Sequence, residues 1–315
     1  MVKVTKDIVF ELTLKCNLNC TICTRKYLKD QSSDLDFSML KNVLNDLKQN
    51  YHKPINFSFG GYGEPLIYRN LIEAIEEVKN VSPDIVLITT NGHLLNDTIR
   101  EKILDSKLDY IRISLNATCV SEYKKLMNSD KFELVESNIK KLFESKRKIN
   151  SKLKVGIQIL DTQKNKENFS EYKKKWENYL SGNDFIAYRR IENKSRLVDS
   201  NFLSDGNSPR NIENRWPCYA LWKYLAIDTT GSVYACCEAY TFRDKNTKLY
   251  LGNLNDSSIT EIINSPSLEH IRNLHLNNDY TSIPECKNCT KIINYPNLWR
   301  LKNGVWEEKN ENLIN

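Results

Sequence analysis

The chain has 315 residues, enough for one large domain or two medium ones with a substantial core. Its formal charge of +6 comes from Lys and Arg interleaved with Asp and Glu, a pattern typical of solvated helix faces, so we expect no nucleic-acid partner. No apolar stretch is long enough to span a bilayer, and the first residues lack the apolar region of a signal peptide. We therefore expect no membrane partner and a cytoplasmic location, where thiols stay reduced.

Strand-like and helix-like patterns alternate through the first two thirds of the chain. Apolar or β-branched runs predict six strands, at residues 8–14, 55–59, 85–90, 110–115, 155–160 and 185–191. Helical spacing lies between them, at residues 39–47, 71–78, 94–104, 132–143 and 169–180. Since parallel neighbours require helical crossovers, these repeats predict an α/β fold with a parallel sheet. Its working loops are expected at the carboxyl ends of the strands.

The alternation stops near Ser195, and a different pattern follows. Residues 198–215 are polar and rich in Asn, Ser and Asp, which predicts a linker or an ordered loop. A hairpin is predicted over residues 225–238, then a helix over 259–275 and a CxxC pair at Cys286 and Cys289. We predict four segments: a first domain over residues 1–195, a linker over 196–214, a second domain over 215–300 and a tail over 301–315.

Three cysteines follow the first predicted strand directly, at Cys16, Cys20 and Cys23. A disulfide framework favours an even number of cysteines, and a structural zinc site favours four ligands. Thiolates also bind iron–sulfur clusters, and three of them hold three irons of a 4Fe–4S cubane, which leaves the fourth iron for a small molecule. The alternatives are three unrelated buried thiols or an incomplete zinc site.

A second motif, GGYGEP at residues 60–65, follows the second predicted strand. Gly60, Gly61 and Gly63 allow a backbone to approach a ligand closely, and Glu64 supplies a carboxylate for an ammonium group. A simple glycine-rich turn is the alternative interpretation. With the three cysteines, this motif resembles the radical S-adenosylmethionine (radical SAM) enzymes, whose glycine–glutamate–proline motif holds the methionyl amino group.

Two shorter motifs occur in the order that the resemblance requires. TTNG ends the third strand and SLNA ends the fourth, and the resemblance implies that Asn91, Ser114 and Asn116 contact the ribose and carboxylate of S-adenosylmethionine. Short polar residues at strand ends are also common turn residues. The chain departs from the family at Ile22, where many members place an aromatic residue that packs on the adenine.

A second set of cysteines, Cys218, Cys236, Cys286 and Cys289, resembles the SPASM/twitch extension that carries one auxiliary 4Fe–4S cluster. Four thiolates close all corners of a cubane; a structural zinc ribbon is the alternative. Adjacent side chains on a strand point to opposite faces, so either Cys236 or Cys237 reaches the cluster, and the spacing favours Cys236. The resemblance implies a partial (β/α)6 TIM-like barrel followed by a small α+β cluster-binding extension, with two 4Fe–4S clusters and S-adenosylmethionine as cofactors.

The resemblance further implies reductive cleavage of S-adenosylmethionine to a 5′-deoxyadenosyl radical, which abstracts hydrogen from a substrate inside the barrel. An electron donor similar to flavodoxin or ferredoxin is implied as partner. The single auxiliary cluster is similar to that of the 2-deoxy-scyllo-inosamine dehydrogenases, which favours oxidation of an alcohol carbon on a sugar- or cyclitol-like small molecule. Only fifteen residues precede Cys16, which also favours a small molecule over a peptide.

Substrate-side residues are expected at the end of the sixth strand, where Arg189, Arg190 and Glu192 lie. Arg190 is the predicted catalytic residue by location, although surface charges are an equal alternative. Three other functions stay open. They are a peptide or protein maturase, an epimerase that uses Cys119 or Cys237 as hydrogen donor, and an iron–sulfur electron carrier. The GGYGEP motif argues against the electron carrier, which needs no carboxylate for an ammonium group.

Overall fold

The computed structural model describes residues 5–53, 55–191, 216–236, 239, 243–287, 289, 299–302 and 305–308. The strands are β1 (Asp7–Phe10), β2 (Asn56–Phe59), β3 (Val86–Thr90), β4 (Tyr110–Asn116), β5 (Lys154–Asp161), β6 (Phe185–Arg190), β7 (Tyr224–Ile227), β8 (Ser232–Tyr234), β9 (Tyr250–Asn253), β10 (Trp299–Lys302) and β11 (Val305–Glu308). The α-helices are α1 (Phe37–Asn50), α2 (Leu71–Lys79), α3 (Asp97–Asp105), α4 (Val120–Met127), α5 (Phe132–Lys148), α6 (Gln163–Glu177), α7 (Ala220–Lys223), α8 (Ile259–Ile263), α9 (Pro266–Leu276) and α10 (Pro284–Lys287). Two 3₁₀ turns cover Thr24–Tyr27 and Pro65–Ile67.

Nine strands form one sheet in the order β6-β5-β4-β3-β2-β1-β7-β8-β9. Strands β1 to β6 are parallel to their neighbours and are joined by helices, as the sequence predicts. Strand β7 pairs parallel with the other edge of β1, and the β7–β8 hairpin and β9 continue antiparallel. The C-terminal extension therefore continues the barrel sheet next to β1, the strand that leads into the three-cysteine loop.

Strand β1 is shorter than the predicted run, because residues beyond Phe10 leave the sheet. The backbone of Leu14 donates to the carbonyl of Ser33, and Leu35 donates to the carbonyl of Leu12. Thr13 also forms an isolated antiparallel bridge with Asp34. These long-range bonds turn the apolar run away from the sheet, and a local pattern does not reveal them.

The predicted helix over residues 259–275 is two helices, α8 and α9. Ser258 caps α8 in a capping box with Glu261, and Ser265 caps α9 ahead of Pro266 at its first turn. Proline has no N–H to donate and its ring favours a helix start, so the break falls directly before it. The sequence carried this signal, and the single-helix prediction was wrong.

The two faces of the parallel sheet differ in burial. Alternate residues such as Phe57, Ile88 and Ile113 are fully buried under the helices, and the intervening residues are only partly buried. We call this second side the open face; it is the side on which the polar residues of the barrel strands lie. Within the described part of the chain, no helix combines the length and apolar character that crossing a membrane requires.

Some predicted boundaries and residues lie outside the described part of the chain. The predicted linker over residues 196–214, Glu192 and Cys237 are among them. The hairpin of β10 and β11 spans the predicted start of the tail at residue 301. Trp299 packs against Trp222 of the extension with ring centroids 5.1 Å apart, so this hairpin is in contact with the extension.

Candidate active site

The three-cysteine loop, residues 16–23, leaves the carboxyl end of β1 and is held against neighbouring elements. The backbone of Thr21 donates to the carbonyl of Leu126 in α4 at 3.0 Å. The backbone of Cys23 donates to the carbonyl of Cys20, and the Cys23 sulfur accepts from the backbone N–H of Arg25 at 3.4 Å. These bonds hold the loop against α4 and fix the position of the Cys23 sulfur.

The thiols of this loop lie close enough to affect one another. The pKa of Cys20 is raised to about 12, mainly by burial and in addition by the charges of Cys23 and Cys16. Burial is also the main cause of the raised pKa of Cys16. Such a pocket disfavours three bare thiolates, and bound iron reverses that preference because a metal's charge deprotonates coordinating thiols. The donor set of this loop therefore fits an iron–sulfur cluster.

A mononuclear metal site fits the described residues less well. Among them, no three His, Cys, Asp or Glu side chains converge closely enough to hold one metal ion. A tetrahedral zinc site needs such convergence. A cubane does not, because each of its thiolates binds a different iron.

The GGYGEP segment packs directly on the start of the three-cysteine loop. A Cβ atom on Gly63 would lie 1.9 Å from the carbonyl oxygen of Thr13, so the segment tolerates only glycine there. The backbone of Glu64 donates to the carbonyl of Lys15 at 2.8 Å. At Gly61, a Cβ atom would lie 2.7 Å from a carboxylate oxygen of Glu11. Contacts within the chain thus explain both glycines, and their backbone contact with a ligand stays a prediction.

The Glu64 side chain is buried and joins two strand ends. One carboxylate oxygen accepts from the Thr90 hydroxyl at 2.6 Å and from the backbone of Leu66 at 3.1 Å. The other accepts from the backbone of Asn91 at 2.7 Å. Burial raises the pKa of Glu64 to about 7, and these three donors oppose the rise. Glu64 therefore ties the loop after β2 to the end of β3, and direct contact with an ammonium group stays a prediction.

Asn91 connects the buried Glu64 carboxylate to the three-cysteine loop. Its side-chain nitrogen donates to Asn17 Oδ1 at 2.8 Å and lies 4.0 Å from the Cys16 sulfur. Its side-chain oxygen accepts from the backbone of His93 at 3.0 Å. The structure thus brings together Cys16, Glu64 and Asn91, three predicted site residues that lie on separate loops.

The two predicted site residues of β4, Ser114 and Asn116, lie at its carboxyl end, and the pairing of β4 with β5 shifts in register between them. Ser114 is partly buried on the open face, beside Gln158 of β5. Asn116 has a φ of +64°, in the left-handed region that Asn tolerates better than most residues. Its side-chain oxygen accepts from Gln158 Nε2 at 3.0 Å, and its nitrogen contacts the sulfur of Met127.

Asn165 supports the end of β4, a role that sequence reasoning missed. It is fully buried, and its amide nitrogen donates to the carbonyls of Asn116 and Leu160, both at 2.8 Å. Its oxygen accepts from the backbone of Thr118 at 2.8 Å. These bonds fix the end of β4, where Asn116 has a positive φ. The signal for them in the sequence is Asn165 itself, a polar residue near the start of α6.

The structure describes the predicted substrate-side residues, Arg189, Arg190 and Glu192, to different extents. Arg189 and Arg190 end β6 at the carboxyl edge, where they pair with Leu160 and Asp161. Burial raises the pKa of Tyr110, and the charges of Arg112 and Arg189 oppose that rise. The side chain of Arg190 lies outside the described residues, so its catalytic role stays a prediction.

The second set of cysteines lies in the extension. Cys218 directly precedes α7, Cys236 follows β8, and Cys286 is part of α10. These three are 6–8% exposed, and Cys289 donates its backbone N–H to the carbonyl of Cys286 at 3.1 Å. The backbone of Cys218 donates to Nδ1 of the buried His275 at 3.2 Å, a bond that sequence reasoning missed.

This arrangement defines a class of enzyme: a parallel α/β sheet whose first strand leads to three cysteines and whose next loops surround them. The Radical SAM superfamily model matches residues 10–168, and an iron-sulfur cluster-binding domain model (SPASM) matches residues 218–290. The chain belongs to the radical SAM superfamily. The predicted family and its SPASM extension are thereby confirmed.

One curated relative is the tungsten-containing aldehyde ferredoxin oxidoreductase cofactor-modifying protein of Pyrococcus furiosus, 24% identical over 167 residues. That match covers 53% of this chain and 46% of the relative, so the chain spans about half of the relative's length.

Two solved structures share the fold. BtrN in complex with AdoMet and 2-DOIA has a TM-score of 0.60 at 18% identity, over 92% of this chain and 94% of that chain. Streptococcus suis SuiB bound to precursor peptide SuiA has a TM-score of 0.68 at 15% identity, over 92% and 72%. These likenesses confirm the predicted partial barrel with its C-terminal extension.

The family assignment also confirms the predicted cofactors. The radical SAM domain uses a 4Fe–4S cluster with S-adenosylmethionine, and the SPASM domain binds iron–sulfur in addition. Cys16, Cys20 and Cys23 would hold the first cluster, with the fourth iron open to S-adenosylmethionine. Cys218, Cys236, Cys286 and Cys289 would hold the auxiliary cluster.

The auxiliary ligand set can be tested at Cys236. We expect Cys236→Ala to lose the auxiliary cluster, about half of the iron in a protein with two 4Fe–4S clusters. The matched variant Cys237→Ala should keep the full iron content, because the spacing from Cys218 favours Cys236 as the ligand. The check is iron per chain after anaerobic reconstitution. If the two variants behave the other way round, the ligand set shifts by one residue.

Proposed function

We propose that this radical SAM enzyme is an oxidoreductase that oxidises an alcohol carbon of a sugar- or cyclitol-like small molecule. When bound, S-adenosylmethionine on the first cluster supplies the 5′-deoxyadenosyl radical that takes a hydrogen atom, and the auxiliary cluster accepts an electron. The chain's own residues would hold these groups and bind the substrate.

The open face of the sheet is the observation that carries this proposal. Ser58, Thr89, Ser114 and Gln158 lie there on four neighbouring strands, and each is partly buried. All four are small or neutral side chains that both donate and accept hydrogen bonds. Arg112 lies on the same face and donates to the Thr89 hydroxyl at 2.9 Å, and Gln158 donates to Asn116, so the face offers charged and neutral partners to a ligand that carries several hydroxyl groups.

The similarity to BtrN supports a small substrate. The two chains match over nearly their whole lengths, and BtrN was crystallised with 2-DOIA. A peptide substrate is the second candidate, because SuiB was crystallised with a precursor peptide and has the higher TM-score. In that case the chain would be a peptide or protein maturase.

On the substrate side, the proposed reaction needs a group that accepts the hydroxyl proton or orients the hydroxyl. Arg190 is our candidate, because β6 ends there at the carboxyl edge of the sheet. An arginine stays protonated, so its role would be to hold the alkoxide that forms as the proton leaves to solvent.

Product mass tests the proposed reaction. Anaerobically reconstituted enzyme is incubated with reductant, S-adenosylmethionine and a panel of cyclitols and sugars, or with a panel of peptides. We expect a small-molecule product that has lost two hydrogens, and the Cys119→Ala variant should form it equally well. An unchanged mass with solvent deuterium in the product, lost in Cys119→Ala, would instead identify an epimerase. Turnover of peptides alone would identify a maturase.

A further inference from the structure

Three buried charged side chains lie where the barrel meets the extension. Glu11 follows β1, Asp228 follows β7, and Arg243 lies between β8 and β9. Glu11 and Asp228 are neighbours, because β1 and β7 pair in parallel and the backbone of Glu11 donates to the carbonyl of Ile227 at 2.9 Å. Both carboxylates are 2% exposed. The sequence motifs include neither Glu11 nor Arg243.

Glu11 is in direct contact with the GGYGEP segment. One carboxylate oxygen accepts from the backbone of Tyr62 at 2.9 Å. The same oxygen is the atom that a Cβ on Gly61 would strike. The position of residues 61–62 therefore depends on where this carboxylate is held.

Arg243 holds the carboxylate from the other side. One guanidinium nitrogen pairs with the second carboxylate oxygen of Glu11, and the other lies 3.3 Å from Asp228 Oδ2. Asp228 Oδ1 in turn accepts from the backbones of Thr230 and Ser232, which form the turn of the β7–β8 hairpin. Arg243 has a φ of +46°, which is uncommon for a residue other than glycine and shows that its surroundings fix it.

The charge of Arg243 is needed at this position. The pKa of Glu11 is raised to about 7, mainly by burial and to a smaller extent by the charge of Asp228, and Arg243 is the largest influence that lowers it. Without the guanidinium, two buried carboxylates would lie side by side with no opposite charge among the contacts described here. Removing one partner of a buried ion pair is far more damaging than removing both.

We infer that Arg243 is a positioning residue through which the extension completes the S-adenosylmethionine site. Its guanidinium fixes the Glu11 carboxylate, and that carboxylate fixes residues 61–62 of the GGYGEP segment. Through Asp228, Arg243 also links these contacts to the β7–β8 hairpin, which leads to Cys236. Affinity for S-adenosylmethionine, a ligand of the N-terminal domain, therefore depends on a side chain of the C-terminal domain. This inference concerns cofactor binding and is independent of the substrate.

A double-mutant cycle tests it in the reconstituted enzyme, with equilibrium dialysis of S-adenosylmethionine against the unreduced clusters as the readout. We expect Arg243→Met to weaken binding about tenfold or more. The double variant Glu11→Gln/Arg243→Met should recover affinity to within about threefold of the parent, because the unpaired carboxylate at Glu11 is gone. Glu11→Gln alone should also weaken binding, because it removes one charge partner of the buried guanidinium, but less than Arg243→Met does, because Asp228 still pairs with Arg243. Iron per chain is measured alongside.

Rescue separates this role from simple packing. If Arg243 only fills space, the double variant binds no better than Arg243→Met, and the inference is overturned. Parental affinity in Arg243→Met also overturns it. If Arg243→Met fails to fold or loses the auxiliary iron, the double variant decides: restored folding and iron support the charge role, and continued loss contradicts it.

Discussion

Replacing Cys16, Cys20 and Cys23 together by alanine is expected to abolish cleavage of S-adenosylmethionine and to remove about half of the iron, from roughly eight irons per chain to roughly four. The three thiols lie on one loop, and besides burial the charges of Cys23 and Cys16 raise the pKa of Cys20, so we expect them to act as one ligand set. The auxiliary cysteines lie on other elements and should keep their own cluster. Iron per chain and 5′-deoxyadenosine formed after reduction are the measurements.

Two variants serve as controls. Cys286→Ala/Cys289→Ala should lose the other half of the iron and retain some cleavage. Cys119→Ala removes a thiol outside both sets and should change neither quantity. Full iron in the triple variant would show that these cysteines are not cluster ligands. Stoichiometric zinc with iron for a single cluster would contradict the auxiliary 4Fe–4S cluster.

Glu64→Ala is expected to lower the free energy of unfolding by about 3 kcal/mol, because three donors lose their acceptor and each costs at least about 1 kcal/mol. The donors are the backbones of Leu66 and Asn91 and the hydroxyl of Thr90. Since Asn91 also reaches the Cys16 sulfur, affinity for S-adenosylmethionine should fall in the same variant by about tenfold or more. Anaerobic chemical unfolding and equilibrium dialysis measure the two effects.

Glu64→Gln distinguishes anchoring from direct ligand contact. A glutamine keeps one acceptor oxygen and places an NH₂ group against backbone donors, so we expect stability and affinity to fall together, each less than in Glu64→Ala. Parental stability with a large loss of affinity would instead show that the charge of Glu64 meets the ammonium group directly. Glu76→Ala on α2, which removes an exposed carboxylate, should alter neither quantity.

The sequence predicted the alternation of six parallel strands with helices, because that depends on local periodicity, and spacing predicted two cysteine ligand sets, which stay predictions. The end of β1, the break before Pro266 and the contacts of Asn165 were not predicted. The end of β1 and the contacts of Asn165 depend on residues that are distant in the chain, and a local sequence pattern carries no information about those residues. The break had a local signal, the Ser-Pro pair, that the apolar spacing of the flanking helices outweighed.

The local motif around Glu64 was likewise insufficient to predict the contacts of its carboxylate. A carboxylate in a glycine-rich loop indicates a ligand for an ammonium group, but three donors of the protein already surround it. The ion pair between Glu11 and Arg243 joins residues separated by 232 positions and follows from no motif. The substrate is even less accessible from sequence, because it depends on side chains that several strands bring to one face.

Formation of 5′-deoxyadenosine by the reduced, anaerobically reconstituted parent protein tests the account most directly. Our account predicts that S-adenosylmethionine is converted to 5′-deoxyadenosine and methionine in equal amounts. Protein that carries both clusters and leaves S-adenosylmethionine intact would contradict it and would identify an iron–sulfur electron carrier instead.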